Sequence, residues 1–181
     1  AYHMIGECHY QQEDYTKCIA ASLQGIAAAT APKDADYLKQ MRNSVAVCYS
    51  ILQDYKSALS AFQVLVAAYP EDVAYLMKVA ECYGGLKDYG NAASAYQTYA
   101  DACPEDAAYA YYMVGKCRYE QENFTECIAA FQKGIAAATA PKDADYLKQM
   151  RDGVAVCYVI LQDYANALKA YQVLAAAYPE D

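Results

Sequence analysis

The sequence predicts an all-α array of stacked helix pairs, about ten helices in all. Three observations carry this. First, the chain copies itself: residues 1–72 align without a gap with 110–181, differing at 19 of those 72 positions, and Gly25 to Arg42 recurs letter for letter as Gly134 to Arg151. Repetition on this scale points to units that bury surface against their neighbours, and away from one pocketed globule. Second, turn residues punctuate the chain at regular intervals. Third, the apolar residues between the turns fall at helical spacing, and no alternating run of β-branched residues competes.

The strong breaks are Ala31-Pro32-Lys33-Asp34, Tyr69-Pro70-Glu71-Asp72, Cys103-Pro104-Glu105-Asp106, Ala140-Pro141-Lys142-Asp143 and Tyr178-Pro179-Glu180-Asp181. Proline lacks the N–H a helix interior needs and clashes with the preceding turn. The acidic residues after it are placed to cap the next helix. Weaker breaks lie midway between these, at Asp14-Tyr15, Asp54-Tyr55, Asp88-Tyr89, Asn123-Phe124 and Asp163-Tyr164. Each reads as a short turn inside a helix pair. The aromatic markers are spaced 40, 34, 35 and 40 residues apart. The array therefore divides into five units, approximately 1–33, 34–72, 73–106, 107–142 and 143–181, with a three-unit super-repeat of 109 residues. The first and fourth units carry a longer connection, with proline two positions late, so their second helix, or the first helix of the next unit, should be extended by about one turn.

Within the second helices the apolar positions run i, i+4, i+7, i+8: Ala92, Tyr96, Tyr99 and Ala100; Cys127, Phe131, Gly134 and Ile135; Ala167, Tyr171, Leu174 and Ala175. That is one face of a 3.6-residue helix. Small residues mark where helices approach closely: Gly6, Ala46, Ala80, Gly115 and Ala155 on first helices, Cys18, Ala58, Ala92, Cys127 and Ala167 on second ones. Phe62, Tyr96, Phe131 and Tyr171 should fill the gaps beside them. Ser22 replaces the aromatic found at Phe131, so the first unit should pack more loosely there. Gly25 and Gly134 stand where alanine is expected, at a cost of about 1 kcal/mol each in a helix interior.

These positions resemble the tetratricopeptide repeat. The third unit reads Leu76-x-x-Val79-Ala80-x-x-Tyr83, then Asp88-Tyr89, Ala92-x-x-x-Tyr96, Tyr99 and Pro104. The fourth reads Tyr111-x-x-Val114-Gly115, Tyr119, Asn123-Phe124, Cys127-x-x-x-Phe131 and Gly134. The Tyr-Pro-Glu-Asp endings are similar to those of bacterial members of the cell envelope. The resemblance implies a right-handed α-solenoid of antiparallel helix pairs whose first helices line a concave groove for a peptide or partner protein. Carried over position by position, the groove candidates are His3, Glu7, Tyr10, Asn43, Val47, Met77, Glu81, Tyr112, Lys116, Tyr119, Asp152 and Val156. Asn43 and Lys116 alone do not make the basic, Asn-rich clamp of the chaperone-tail-binding members. Tyrosine suits such a lining because it offers apolar area and a polar tip with few rotors.

Composition bounds the rest. Formal net charge is −8 and no basic stripe stands out, so nucleic acid is not expected as a partner. No run of 18 apolar residues suggests a membrane span, and no signal segment opens the chain. The chain begins and ends mid-pattern, without a distinct cap, so a second function is in view: a self-assembling structural protein stacking end to end into a filament. Eight cysteines sit inside helical patterns with no CxxC pair, which reads as reduced, buried thiols and points to a reducing compartment such as the cytoplasm, with the cell envelope or extracellular space as alternatives. Cross-helix disulfides Cys8–Cys18 and Cys117–Cys127 are the pairings considered. His3 and His9 with Glu7 do not form a ligand set, because residues six apart lie on different helix faces. Asn123-Phe124-Thr125 matches a glycosylation acceptor but reads better as a turn-former. No catalytic residue, cofactor or metal is expected, and the chain is read as a non-enzymatic binding scaffold.

Overall fold

The computed structural model describes residues 1–29, 35–139 and 141–179. The break expected at Ala31-Pro32-Lys33-Asp34, Ala140 and the final Glu180-Asp181 lie outside the described residues. Everything regular in the described residues is helical. The chain divides into two compact bodies, Ala1–Lys87 and Asp88–Asp181. The N-terminal body contains α1 (Tyr2–Gln11), α2 (Tyr15–Ala28), α3 (Ala35–Ile51), α4 (Tyr55–Ala68) and α5 (Ala74–Gly85). The C-terminal body contains α6 (Tyr89–Ala102), a 3-10 turn Pro104–Asp106, α7 (Ala107–Glu120), α8 (Phe124–Ala137), α9 (Ala144–Ile160) and α10 (Tyr164–Ala177).

One turn recurs five times. The residues before the capping position, Glu13, Gln53, Lys87, Glu122 and Gln162, all take φ of 57–59°. In the first of these turns the Glu13 N–H donates to the Tyr10 carbonyl and the Asp14 N–H to the His9 carbonyl, both at 2.9 Å. That double bond set is a Schellman ending, which satisfies carbonyls the helix would leave open. Asp14 then caps the next helix, its carboxylate accepting the Lys17 N–H at 3.2 Å. Asp54, Asp88, Asn123 and Asp163 do the same for α4, α6, α8 and α10. Each cap is worth roughly 1 kcal/mol. The Lys17 ammonium and backbone N–H hold the Asp14 carboxyl below its ordinary range, and the Ser57 contacts do so for Asp54. Asn123 is thus a helix cap, as the turn-former reading expects.

The acidic residues after the prolines behave otherwise. Neither Asp106 nor Asp143 caps a helix with its side chain. Asp106 accepts the Tyr99 hydroxyl at 2.8 Å and pairs with Lys142 at 3.2 Å. Asp143, only 4% exposed, accepts the Thr139 N–H and hydroxyl at 2.9 and 3.2 Å. Asp72 pairs with Lys39 at 3.1 Å. The capping role expected of these residues belongs to the mid-pair turns; here the carboxylates pin the connection between pairs.

All five second helices are 14 residues long, whereas the first helices run 10, 17, 12, 14 and 17. The expected extra turn therefore falls on α3 and α9. Cys18, Ala58, Ala92, Cys127 and Ala167 are buried, as are Gly6, Ala46, Ala80, Gly115 and Ala155. Phe62, Tyr96 and Phe131 fill gaps as expected, but Tyr171 is 40% exposed, because no helix covers that side of α10 among the described residues.

The core is built at a seam between each second helix and the first helix that follows it. On first helices the stripe lies fourteen, ten and seven residues before the marker aromatic of the same pair: Met41, Val45 and Cys48 on α3; Tyr75, Val79 and Cys82 on α5; Ala110, Val114 and Cys117 on α7; Met150, Val154 and Cys157 on α9. All are buried except half-buried Val79. The opposing position lies ten residues after the marker: Gly25, Leu65, Tyr99 and Gly134. The two sides are complementary in size. A Cβ on Gly25 would sit 2.2 Å from the Met41 sulfur, and one on Gly134 2.3 Å from that of Met150. Leu65 shares a cluster with Tyr75, and Tyr99 and Ala110, at the same two register positions, are both buried. The two glycines are therefore required by the methionines they admit; burying each methionine contributes about 1.5–3 kcal/mol, more than the helix-propensity cost.

A second compensation distinguishes the copies. Phe131 lies where a Cβ on Gly115 or Gly153 would be 2.3 or 2.5 Å from its ring. The first copy has Ser22 in place of Phe131 and Ser44 in place of Gly153. Ser22 is 1% exposed, so the site stays buried with the smaller residue in it. Gly153→Ser should cost roughly 1–3 kcal/mol by overpacking. Adding Phe131→Ser should recover part of that loss, because the two positions share one space. Thermal melts of the two single variants and the double variant check this; strictly additive losses would show that the ring and the glycine do not compete.

Candidate functional site

Each first helix has one face in the seam and another that carries the groove candidates. In the N-terminal body, His3 is half-buried with its ring 5.6 Å from that of Tyr37 on α3. Glu7, one turn on, accepts the Gln11 amide at 2.9 Å. Asn43 and Met77 are half-buried on α3 and α5. Glu81 pairs with Lys78 at 2.8 Å. Val47 packs on the cluster around Phe62 and Leu65. A cavity of about 330 Å³ opens beside this set, lined by Tyr2, His3, Met4, Gly25, Tyr37 and Met41 among others.

In the C-terminal body, Tyr112 occupies the position of His3, with its ring 5.3 Å from Tyr146, the counterpart of Tyr37. It also stacks on Phe131 at 6.2 Å. Its hydroxyl donates to the Gln149 side-chain oxygen. The exposed Lys116 ammonium lies 5.4 Å from the Tyr112 ring centre, a cation–π contact. Asp152 is exposed, and with Lys148 and Gln149 it lines an open cavity of about 680 Å³ between α9 and α10. Val156 is half-buried.

Tyr10 and Tyr119 serve another purpose. Tyr10 meets Tyr15 edge-on at 5.6 Å and Tyr119 meets Phe124 at 5.5 Å. Each ring closes a turn onto the following helix, and Tyr10 adjoins the Cys18, Ile19, Val45 and Cys48 cluster. Sequence reasoning missed Tyr37, Tyr146 and Gln149, which complete the ring pairs. The signal was available: all three lie in the verbatim stretch.

All eight cysteines are free. The thiol neighbours differ from the pairings considered: Cys127 lies 3.5 Å from Cys157, sulfur to sulfur, and Cys18 bonds to Cys48. The close pairs cross the seam between consecutive helix pairs, not the interior of one pair: Cys8 and Cys117 lie seven residues before the marker, on the seam stripe, where Cys117 is buried and Cys8, with no helix before α1 among the described residues, is exposed. Burial pushes the Cys48 thiol up to about 12, with the Cys18 thiol adding to it, and pushes Cys117 up to about 11. The Cys157 sulfur and burial raise Cys127 as well. Among the described residues, no three His, Cys, Asp or Glu side chains are grouped to hold a metal. No helix of the described residues is long and apolar enough to cross a membrane.

Cys48 and Cys117, raised by burial, stay protonated at pH 8, and burial keeps reagent away from the other buried thiols. Cys8 is the exposed one. Brief alkylation of the folded chain at pH 8 should therefore place one label, on Cys8, with the seven buried thiols reacting only after denaturation. Peptide mass mapping checks this, and comparable labelling of Cys48 or Cys117 would contradict the burial described.

The comparisons with known proteins agree with this geometry. Tetratricopeptide repeat models match residues 52–107 and 153–181. No curated protein matches by sequence. Among solved structures, MamA 41-end from Desulfovibrio magneticus RS-1 superposes with a TM-score of 0.70 at 16% identity, over 99% of this chain and 95% of that one. A further MamA crystal structure gives 0.75 at 14% identity, over 99% and 91%. A kinesin-light-chain-type protein of Podosopora anserina with nearly identical TPR-like repeats gives 0.68 at 12%, over 98% and 92%. At such identities the likeness is one of fold. With repeat models matching residues 52–107 and 153–181 and the all-helical fold matching throughout, the chain is a helical repeat protein similar to the tetratricopeptide repeat family.

Proposed function

We propose that this chain is a non-enzymatic scaffold that binds protein or peptide on the outward faces of its first helices, each body with its own charge preference. One observation carries the reading. Both bodies present the same ring pair, His3 with Tyr37 and Tyr112 with Tyr146, at 5.6 and 5.3 Å, and one turn further the charge inverts from Glu7 to Lys116. The copies keep the seam residues Gly25, Met41, Val45 and Cys48 unchanged as Gly134, Met150, Val154 and Cys157 while the outward residues change chemistry. A half-exposed aromatic beside a charge is a surface suited to anchor a ligand side chain and choose its sign.

The N-terminal face should then favour basic peptides and the C-terminal face acidic ones. Panning a random peptide library on the full chain, then on Glu7→Lys and Lys116→Glu variants, tests this. Each variant should weaken the peptides selected by its own face by about tenfold, with no change in melting beyond about 0.5 kcal/mol. Enriched peptides that ignore both substitutions would remove these faces from consideration.

End-to-end stacking of copies is the second reading. It is favoured by apolar residues left open on α1 (Tyr2, Met4 and Ile5) and on α10 (Tyr164, Leu168 and Tyr171), each at least 40% exposed. Sedimentation across micromolar concentrations should show growing species if copies stack; a constant monomer would dismiss it.

A further inference from the structure

One register position in the seams carries cysteine where packing does not require it. Seven residues before the marker aromatic, every unit has a cysteine: Cys8, Cys48, Cys82, Cys117 and Cys157. Three residues after the marker the units differ: Cys18, Ala58, Ala92, Cys127 and Ala167. The seam brings this second position to the first position of the next pair. Cys127 lies 3.5 Å from Cys157, sulfur to sulfur, Cys18 shares a cluster with Cys48, and Ala58 shares one with Cys82. Cys18, Ala58, Ala92 and Cys127 are all 0% exposed. Alanine therefore closes this place as fully as cysteine does, and the sulfur is not there to fill a void. What it adds at the α2–α3 and α8–α9 seams is a second thiol within reach of the first. The dithiol occurs once in each copy of the super-repeat, at the same seam.

We propose that Cys18 with Cys48, and Cys127 with Cys157, are redox sites: under a hydroperoxide each pair closes into a disulfide that ties one helix pair to the next. The step balances with hydrogen peroxide as the oxidant. One thiol sulfur attacks a peroxide oxygen, the O–O bond breaks, the sulfur becomes a sulfenic acid, and the thiol proton leaves in a molecule of water. The second sulfur then attacks the sulfenic sulfur. The S–S bond forms, the S–O bond breaks, and the departing hydroxide takes the second thiol proton as another water. The pair loses two electrons and the peroxide gains them. The sulfurs of Cys127 and Cys157 have only to close from 3.5 Å to about 2 Å. Their contact also favours the first attack, because the Cys127 thiol stabilises a thiolate on Cys157 and holds that group below its ordinary value. Each bridge joins residues 30 apart on consecutive helix pairs, so it restricts the unfolded chain as well as pinning the folded seam. This device lies in the core, away from the faces invoked for peptide binding, and the two stand or fall independently.

The test holds the full, reduced chain with hydrogen peroxide for hours, removes the oxidant with catalase, and denatures directly into N-ethylmaleimide before non-reducing peptide mass mapping. Linked peptides Cys18–Cys48 and Cys127–Cys157 are expected. Cys82 and Cys117, buried with alanine at the opposing register position, should be recovered as maleimide adducts. The oxidised chain should melt about 5 °C or more above the reduced one, and dithiothreitol should reverse the rise. A Cys18→Ala, Cys127→Ala chain, carrying the alanine found at the other seams, should show neither bridge nor rise. Four free thiols recovered from a chain whose exposed Cys8 is oxidised would overturn the proposal. So would bridges that involve Cys82 or Cys117 as often, or an oxidised chain that melts no higher.

Discussion

Everything in this fold depends on the seam between a second helix and the first helix that follows it. Each helix pair is short and cannot bury its apolar stripe alone. The stripe is buried only when the next first helix inserts a residue whose size matches the hole opposite. Gly25 and Gly134 admit Met41 and Met150, and Leu65 meets Tyr75. Close packing makes this matching strict, because neither a void nor an overlap of one methyl group goes unfelt. The thiol pairs Cys18–Cys48 and Cys127–Cys157 lie on the same line, as small apolar residues where the backbones approach.

Against this constraint the turns are uniform. The same left-handed residue and the same capping carboxylate or amide close every pair, and every second helix has the same length. A left-handed residue that is not glycine costs about 1 kcal/mol, so glutamate, glutamine and lysine are held there by the bonds on either side. With the pairs fixed, differences in unit length pass to the first helices and the connections between pairs. Asp72, Asp106 and Asp143 then tie those connections to lysine, tyrosine and threonine side chains.

Much of this was legible in the letters. Helical period, turn positions, the small residues at close approaches and the extra turn are all local signals, and repetition multiplied each of them. The pairing of residues across the seam was not legible in the same way. Gly25 read as a cost because its counterpart Met41 is sixteen positions away on another helix, and only the fold places them together. Asp106 read as a cap because proline precedes it, yet the Tyr99 hydroxyl, brought round by α6, claims the carboxylate. The ring pairs of the candidate faces were half visible: His3 and Tyr112 were singled out, while Tyr37 and Tyr146 sat unremarked in the verbatim stretch. Tyr171 misled for the converse reason, since a helical stripe in a sequence does not say whether a neighbour is there to cover it.

The verbatim recurrence of Gly25 to Arg42 as Gly134 to Arg151 has a kinetic side. It spans both halves of one seam, so α3 carries the inserting surface that α8 receives, and α9 the one that α2 receives. During folding, the size matching of Gly25 with Met41 is silent between these twins, and the packing that still resists the exchange is Ser44 of α3 against the Phe131 ring of α8. Proximity opposes it as well: helices adjacent in sequence meet first, because closing a short loop loses less entropy than closing a much longer one.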